Sequence, residues 1–323
     1  MTVKNKRKLL LMISGVVLAP LLITYCMAGN IGAFQVTGES ALIPVGEIYS
    51  GGPPKDGIPA IDHPRFHRPG EAAGPADDAR VLGLSYNGIT KAYPITILNW
   101  HEIVNDLFGD QQVAVTYCPL CGSGVAYLAT FNGKGLSFGV SGLLYNSDVL
   151  LYDRQTESLW SQMLSQSVTG PMSGAKLKML PLTHTSWADW KQRHPETLVL
   201  SRQTGFDKDY DRNPYAGYEN EEGIYFPVKK RSGRYHPKEQ VLGLEVAGHY
   251  KAYPFAELSR TEGTISDEFA GKRFTIQYDG QHRSGRIIDS SGAEVPIITS
   301  FWFAWYAFHP DTEVYTAGLK KGE

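Results

Sequence analysis

Apolar and polar segments alternate over short distances along this chain, a pattern that favours short strands and turns over long helices. Residues 81–84 and 90–93 are two strand-like segments joined by an Asn-Gly dipeptide, which is typical of a tight hairpin turn. Pro94 can occupy the first position of a helix, and apolar residues at helical spacing then predict a helix that continues to Phe108. Further elements are predicted at residues 113–117 and 125–131 (strands) and at residues 187–194 (a short helix). We therefore predict an α+β fold with largely antiparallel sheets and short helices.

Two parts of the chain repeat the same pattern. Residues 81–94 and 241–254 align without a gap, with nine of fourteen positions identical. The spacing Trp-x-x-Trp-x-x-x-His-Pro, which starts at Trp187, returns at Trp302. Because repeated landmarks in a constant order indicate repeated structural units, we predict two related modules from an internal duplication. The predicted organisation is an N-terminal transmembrane anchor or signal segment (1–29), a Pro/Gly-rich extension (30–77), a first module (78–202), a linker (203–237) and a second, degenerate module (238–323).

The N-terminal residues have the pattern of a membrane segment. Four basic residues among the first eight are followed by an uncharged run, residues 9–28, which is long enough to cross a bilayer as a helix. The basic flank should stay in the cytoplasm, so we predict a single-pass anchor with the bulk of the chain extracytoplasmic. The alternative is a cleaved signal peptide, which would leave a secreted or periplasmic protein.

The charge of the chain excludes one broad class of partner. The formal net charge is −2, and it becomes −6 when the four basic residues of the N-terminal segment are left out. A mildly acidic domain without a basic run is a poor nucleic-acid binder, so we expect no nucleic-acid partner. Export would also place the cysteines in an oxidising compartment, where two nearby thiols are prone to oxidise unless a metal or a reductant holds them.

The most distinctive chemical feature is the motif Tyr-Cys-Pro-Leu-Cys-Gly, which contains Cys118 and Cys121. A Cys-Pro-x-Cys-Gly turn supplies two ligands in zinc-ribbon and rubredoxin knuckles, so the pair is predicted to bind a metal, with zinc or copper as candidates. The same spacing serves redox dithiols, in which Cys118 and Cys121 would be the catalytic residues. A structural disulfide, or two inert thiols, is the third interpretation, and spacing alone does not separate the three.

A metal site on this turn needs further ligands from elsewhere in the chain. The second module has Asp279 and His282 at the positions of the cysteines, and it also lacks a counterpart of His101. Because these residues occur together only in the first module, His101 is the favoured additional ligand, although a polar helix surface would explain it as well. The residues predicted to line a pocket at the cysteines are Glu102, Asn105, Asp153, Arg154, Ser158, Trp160 and Gln162. The last five belong to an insertion confined to the first module, and a hydrogen-bonded network in a β-rich core is their alternative interpretation.

Several of these motifs resemble an uncharacterised family, the domain of unknown function 3179. The matching stretches are residues 50–62, 92–94, 100–106, 115–122, 138–144 and 152–162. The resemblance covers about residues 48–218, and the Cys-Pro-Leu-Cys and Asp-Arg-Gln-Thr motifs make it specific. It implies membership of a family without implying an established activity.

These features together predict a membrane-anchored extracytoplasmic protein with a metal-binding Cys-x-x-Cys site. A thiol–disulfide protein that acts on exported partners is the second prediction, and a non-catalytic structural or interaction module with a disulfide is the third. The expected partner is a small molecule, a metal ion or an exported protein. The sequence does not assign the protein to an enzyme class.

Overall fold

The computed structural model describes residues 28–31, 34–37, 41–261 and 263–318 of the chain. The strands are β1 (Ala28–Ile31), β2 (Phe34–Thr37), β3 (Ile48–Ser50), β4 (Phe66–His67), β5 (Arg80–Tyr86), β6 (Ile89–Pro94), β7 (Ile103–Phe108), β8 (Gln111–Cys118), β9 (Ser123–Leu128), β10 (Thr130–Phe131), β11 (Lys134–Gly135), β12 (Phe138–Tyr145), β13 (Asp148–Asp153), β14 (Leu159–Ser161), β15 (Gln166–Ser167), β16 (Met179–Leu180), β17 (Leu182–Ser186), β18 (Leu198–Leu200), β19 (Gln240–Val246), β20 (His249–Pro254), β21 (Ile265–Phe269), β22 (Lys272–Asp279), β23 (Ser284–Asp289), β24 (Ile298–Phe301) and β25 (Glu313–Val314). The helices are α1 (Ile95–His101), α2 (Trp187–Arg193), α3 (Phe255–Leu258) and α4 (Trp302–Phe308), and two short 3-10 turns lie at Val45–Glu47 and Tyr218–Asn220. Strands dominate and the helices are short, so the predicted α+β class is confirmed.

The strands pair into a few sheets that are largely antiparallel, as predicted. The longest has the order β25-β20-β19-β24-β9-β8-β7, with β16 also paired to β9. Two five-stranded sheets have the orders β17-β5-β6-β18-β4 and β15-β14-β13-β12-β3, and β21-β22-β23 form a three-stranded meander. The ladders between β18 and β6 and between β20 and β25 are parallel. The cysteine motif belongs to the longest sheet, where β8 turns into β9.

The first helix is shorter than the sequence pattern predicts. α1 ends at His101, and Glu102 adopts a positive φ of 58°, which redirects the chain into β7. Residues 103–108 then pair with β8 along their whole length. The prediction of a helix to Phe108 was therefore wrong, because Ile103 and Val104 are β-branched residues that fit a buried strand at least as well as a helix.

Both predicted modules contain a hairpin with the same register. Val81 pairs with Pro94 in the hairpin of β5 and β6, and Val241 pairs with Pro254 in that of β19 and β20. A third strand then adds to the first strand of each hairpin, β17 to β5 and β24 to β19. The strands within each region thus pair in the same way. The internal duplication that would explain this likeness remains a prediction.

Each hairpin also packs a tryptophan ring directly on a glycine. A Cβ atom on Gly83 would lie 2.2 Å from Cε3 of Trp190, and one on Gly243 would lie 2.1 Å from Cζ3 of Trp305. Contacts this close exclude any side chain at the two glycines. The repeated Trp-x-x-Trp spacing is therefore explained by packing of the second tryptophan against the hairpin.

One sheet and one apolar cluster contain residues of both predicted modules. Thr299 of β24 forms a bridge with Gly124 of β9, which joins the second module to the first. The largest buried apolar cluster contains Trp160 from the first module and Trp302 from the second. The second module is consequently part of the surroundings of the cysteine turn.

The extension and the linker also pack against the first module. β3 pairs with β12, and Ile61 is buried and forms a bridge with Val104. Tyr218, in the linker, is buried in the same cluster as both cysteines. These segments position the site even though they lie outside the predicted modules.

Among the described residues, no helix is both long and apolar enough to cross a membrane. The predicted span, residues 9–28, lies outside the described residues except for Ala28, which begins β1.

Candidate metal centre

The cysteines lie in the turn that joins β8 to β9. Cys118 is the last residue of β8 and pairs with Ser123, the first residue of β9. The Cys121 N–H donates to the carbonyl oxygen of Cys118 at 3.2 Å, which closes the turn. Gly122 follows with a φ of +59°, and a Cβ atom there would lie 2.8 Å from Cζ of Phe301. The motif thus needs glycine after the second cysteine for both backbone and packing reasons.

Three side chains converge at this turn. One ligand atom each from Cys118, Cys121 and Asp148 lie within 4.8 Å of one another, and all three residues are buried. Both cysteines are free thiols. Two sulfurs and a carboxylate at this separation can surround a single metal ion, since metal–sulfur and metal–oxygen bonds in zinc sites are about 2.0–2.3 Å long.

Asp148 is brought to the cysteines by a tight hairpin between β12 and β13. Tyr145 pairs with Asp148, and the two turn residues, Asn146 and Ser147, have positive φ values of 51° and 64°. Two consecutive residues in this region form the turn type that best fits the twist of a hairpin. Ser147 is held there by its hydroxyl, which donates to the carbonyl oxygen of Phe226 at 2.8 Å.

The tip of this hairpin lies over the sulfurs. The Ser147 carbonyl oxygen is 3.3 Å from Sγ of Cys121 and 3.7 Å from Sγ of Cys118, and both thiols are oriented to donate to it. Asp148 follows immediately in β13. The hairpin therefore brings both a carbonyl oxygen and a carboxylate to the cysteine turn.

The two oxygens of the Asp148 carboxylate have different surroundings. Oδ2 accepts hydrogen bonds from Ser161 Oγ at 2.9 Å and from the backbone N–H of Met163 at 3.1 Å. Oδ1 is fully buried and has no hydrogen-bond partner among the described residues. Buried carboxylate oxygens are normally hydrogen-bonded, so this orphan oxygen calls for a further partner.

Burial dominates the electrostatics of the site. It raises the pKa of Asp148 to about 7, although the hydrogen bonds from Met163 and Ser161 counteract it in part. Burial and, to a smaller extent, the charge of Asp148 raise the pKa of Glu102 to about 8. Burial and the contact with Cys118 also raise the pKa of the Cys121 thiol well above its usual range. A metal cation would offset these effects by stabilising the deprotonated ligands, with release of protons.

The favoured additional ligand, His101, is not in this group. Its Nδ1 lies 2.7 Å from the carbonyl oxygen of Pro59, and its Nε2 lies 2.6 Å from the hydroxyl of Tyr210. Both ring nitrogens are thus engaged with the N-terminal extension and the linker. His101 is the last residue of α1, and its side chain is buried.

Two of the predicted pocket residues are close to the cysteine turn. Glu102 is buried and affects the pKa of Cys121 through its charge. The amide of Gln162 accepts from Ser123 Oγ at 2.5 Å and donates to Thr116 Oγ1 at 2.9 Å. Because Ser123 pairs with Cys118, the hydrogen bond between Ser123 and Gln162 helps to hold the turn in place.

The remaining pocket residues form hydrogen bonds with one another and with neighbouring segments. Asp153 accepts from Nε1 of Trp160 at 2.8 Å, and Ser158 Oγ lies 2.7 Å from the hydroxyl of Thr156. Asn105 and Arg154 both bond to Asp62 of the N-terminal extension. These contacts are those of a satisfied polar network, the alternative that the sequence left open.

Asp148 is the residue that the sequence analysis did not single out. It belongs to the insertion of the first module, in the run Leu-Leu-Tyr-Asn-Ser-Asp-Val-Leu-Leu. Two apolar segments on either side of Asn146-Ser147 are a signal for a hairpin. Recognising that hairpin would have placed Asp148 at the first position of a buried strand.

The comparisons with known proteins give a family and no activity. No curated protein and no solved structure matches the chain. A family model described as a protein of unknown function (DUF3179) matches residues 55–294, which include both cysteines, Asp148 and much of the second module. The match extends beyond the region in which the resemblance was recognised. It covers well over half of the sequence, and the chain therefore belongs to the DUF3179 family.

Proposed function

We propose that this protein binds a transition-metal ion, zinc or copper, through Cys118, Cys121 and Asp148. The main support is the buried Oδ1 of Asp148, which has no hydrogen bond within the described residues. Two free thiols, those of Cys118 and Cys121, lie beside this carboxylate. Leaving a buried acceptor unpaired costs about 1–3 kcal/mol. A metal ion coordinated by the carboxylate and the two sulfurs would remove that cost.

The ligand set favours zinc over copper. Two thiolates suit both zinc and copper(I), whereas a carboxylate is a hard ligand that copper(I) binds poorly. The Ser147 carbonyl oxygen, 3.3 Å from Sγ of Cys121, is an additional donor at the same place. With that oxygen bound the site would be closed and structural; with water in its place it would have the open position of a catalytic zinc site.

Elemental analysis of the full chain tests the proposal. Protein purified under reducing conditions should contain close to one equivalent of zinc or copper. Cys118→Ser and Asp148→Asn should each lower the metal content strongly, because each removes a charged ligand. Asp153→Asn is the matched control, since Asp153 is equally buried in β13 but bonds to Thr156 and Trp160.

Two results would decide against this assignment. A full chain that is free of metal, and that takes up neither zinc nor copper(I) after treatment with a chelator, would overturn it. If His101→Gln lost the metal and Asp148→Asn retained it, the protein would still have a metal site, but its third ligand would be His101 instead of Asp148. We expect His101→Gln to retain metal, because both nitrogens of His101 already have partners.

A thiol–disulfide activity is the second candidate, favoured only by the proximity of the two sulfurs. Both cysteines are buried, and the raised pKa of Cys121 disfavours the thiolate that would attack a partner. Alkylation of the native chain distinguishes the two: a redox dithiol reacts rapidly with iodoacetamide, whereas a buried metal site reacts only on unfolding or removal of the metal. A structural role with a disulfide requires that the purified protein contain no free thiol from this pair.

We further propose that residues 1–29 anchor the protein and that the described domain lies outside the cytoplasm. The support is the sequence pattern of a basic flank before an uncharged run. Alkaline phosphatase fused to the C-terminus should be active with the full chain and inactive when residues 1–29 are deleted. Equal activity of the two fusions would contradict the proposal, which also implies that the partner is exported or present outside the cytoplasm.

A further inference from the structure

A cavity of about 200 Å³ lies between the two modules, next to the cysteine turn. Pro119 and Gly122 of the turn contribute to its wall, whereas neither cysteine lines it. Arg80 and Gln240, the first residues of β5 and β19, line it from the two modules. The linker contributes Tyr218. The cavity is therefore a separate site from the cluster of sulfurs and carboxylate.

One polar atom of a residue that lines this cavity lacks a hydrogen-bond partner among the described residues. It is the buried Oε1 atom of Gln240. His184 and Tyr218, which also line the cavity, are only 3% and 2% exposed. Burial, reinforced by the charge of Arg80, lowers the pKa of His184 to about 3, so its ring is neutral at physiological pH. Unpaired buried acceptors are rare in folded proteins, so the Gln240 oxygen calls for a hydrogen-bond donor.

The cavity also has an unbalanced positive charge at one end. Arg80 donates hydrogen bonds to the carbonyl oxygens of His282 and Arg283, and no described carboxylate forms an ion pair with it. Burial and the neighbouring charge of Arg283 lower the pKa of Arg80 to about 10, which still leaves the guanidinium charged. Glu219 lies 4.0 Å from Arg283 and balances one of the two cations. One guanidinium charge remains available to a ligand.

We propose that this cavity binds a small organic oxyanion that also carries a hydroxyl group. The oxyanion would bind the guanidinium groups of Arg80 and Arg283, because arginine pairs with carboxylates and phosphates through two parallel hydrogen bonds. The unpaired amide oxygen of Gln240 accepts hydrogen bonds and so selects a hydroxyl donor on the ligand. The volume of about 200 Å³ is below the roughly 300–1,000 Å³ that is typical of pockets for drug-sized ligands, so the expected ligand is small.

Calorimetric titration of the full chain in detergent tests this inference with defined probes. Glycerate and glycerol phosphate combine an oxyanion with hydroxyl groups, and they separate a carboxylate ligand from a phosphate ligand. Propionate and methyl phosphate supply the oxyanion alone, and glycerol supplies the hydroxyls alone. We expect glycerate or glycerol phosphate to bind roughly tenfold more tightly than the matching probe without hydroxyls, since a lost hydrogen bond to a buried group costs about this factor.

Variants identify the residues that bind the probe. Arg80→Met should weaken binding by roughly tenfold or more, as expected for loss of a charged hydrogen bond. Arg80 also donates hydrogen bonds to the backbone of residues 282–283, so its replacement can affect folding as well as binding. Two further variants test binding without removing those hydrogen bonds. They are Arg283→Met, whose backbone carbonyl remains, and Gln240→Glu, which repels an anion. Arg154→Met is the control, since Arg154 does not line the cavity and forms an ion pair with Asp62 of the N-terminal extension.

The inference is independent of the metal proposal. The metal content of Arg283→Met and Gln240→Glu should equal that of the unaltered chain. A negative result for the cavity therefore does not contradict the metal proposal, and a negative result for the metal does not contradict the cavity proposal. Absence of binding for all five probes at millimolar concentration would overturn the inference. So would unchanged affinity in both Arg283→Met and Gln240→Glu, or an equal loss in Arg154→Met.

Discussion

The carbonyl oxygen of Ser147 lies 3.3 Å from Sγ of Cys121, so a hairpin tip and a cysteine turn that are far apart in sequence meet at one point. The contact is buried on both sides. Asp148 is the next residue of the hairpin, and its position is therefore fixed by the same contact.

Ser161→Ala should weaken metal binding without removing a ligand. Ser161 donates to Oδ2 of Asp148, so its loss frees the carboxylate to rotate away from the sulfurs. Supporting residues of this kind typically contribute about 10–100-fold in metal affinity. Competition with a chelator measures the effect, and Ser158→Ala is the control because Ser158 is equally buried but bonds to Thr156 and Met172. Equal affinities of the two variants would show that Ser161 does not position the ligand.

Gly122→Ala should destabilise the fold more than Gly133→Ala. Both glycines have a positive φ, which costs a residue with a Cβ atom about 1–2 kcal/mol. Only Gly122 also faces a ring, that of Phe301, whereas a Cβ atom on Gly133 would meet nothing within 4 Å. The additional overpacking should cost about 1–3 kcal/mol in the free energy of unfolding. Urea denaturation of both variants checks the order, and equal losses would refute the role of Phe301.

Glu102→Gln should change how stability depends on pH in the metal-free protein. The pKa of Glu102 is raised to about 8 in the folded state, from about 4.5 in the unfolded state. The folded state therefore binds the proton more tightly, and this contribution is complete below pH 4.5 and is lost as the pH rises to about 8. Within that window the free energy of unfolding should fall by at most about 1.4 kcal/mol per pH unit from this group.

The pH dependence is measured by urea denaturation between pH 5 and 8 (roughly the interval between the two pKa values). Glutamine resembles the protonated carboxyl, so the variant should lack this part of the slope and become the more stable protein at the upper end. Asp148, whose pKa is also raised, contributes a slope of the same sign to both proteins. Parallel curves for the two proteins would show that Glu102 is not protonated in the fold.

Lys91→Met and Lys251→Met should both destabilise the protein, the first more than the second. Lys91 Nζ lies 2.8 Å from Asp106, and Lys251 Nζ lies 2.7 Å from Asp267 at the corresponding place in the second module. The side chains of the first pair are 8% and 5% exposed, and those of the second are 10% and 19% exposed. Removal of one partner from a buried pair leaves an uncompensated charge and costs about 3–5 kcal/mol.

Thermal and urea unfolding of the two lysine variants measure that order. The more exposed carboxylate of Asp267 is better solvated, so its loss of a partner should cost less. Lys55→Met, which removes an ion pair with the exposed Glu157, is the control and should have little effect. A larger loss for Lys251→Met than for Lys91→Met would contradict the argument from burial.

The sequence predicted the fold where short-range patterns dominate. The Asn87-Gly88 turn, the strands on either side of it and the short helix at Trp187 are local features, and each appears as expected. The strand predicted at residues 125–131 is instead divided into β9 and β10. The longer first helix failed because Glu102 adopts a backbone conformation that favours glycine or asparagine, and nothing in its sequence signals this. A buried strand and a helix can share the same apolar spacing over six residues.

The candidate site was predictable only in part. The cysteines were evident from their spacing, because a knuckle is encoded within four residues. Asp148 is brought to them by a contact between distant strands, which a single sequence does not reveal. Glu102 and Gln162 lie near the turn, while His101 is engaged by Pro59 and Tyr210. Neither of these partners belongs to the predicted first module.

The backbone bond from Phe301 to the carbonyl oxygen of Cys121 has a consequence for the order of assembly. The three candidate ligands all precede β24, the strand that closes over their turn, in the order of synthesis. If the proposed ion binds there, it can enter while the nascent chain is still open and is trapped when β24 docks. Its exchange afterwards would be governed by the rate at which the C-terminal part of the protein detaches, and the residence time of the ion would report on that local opening.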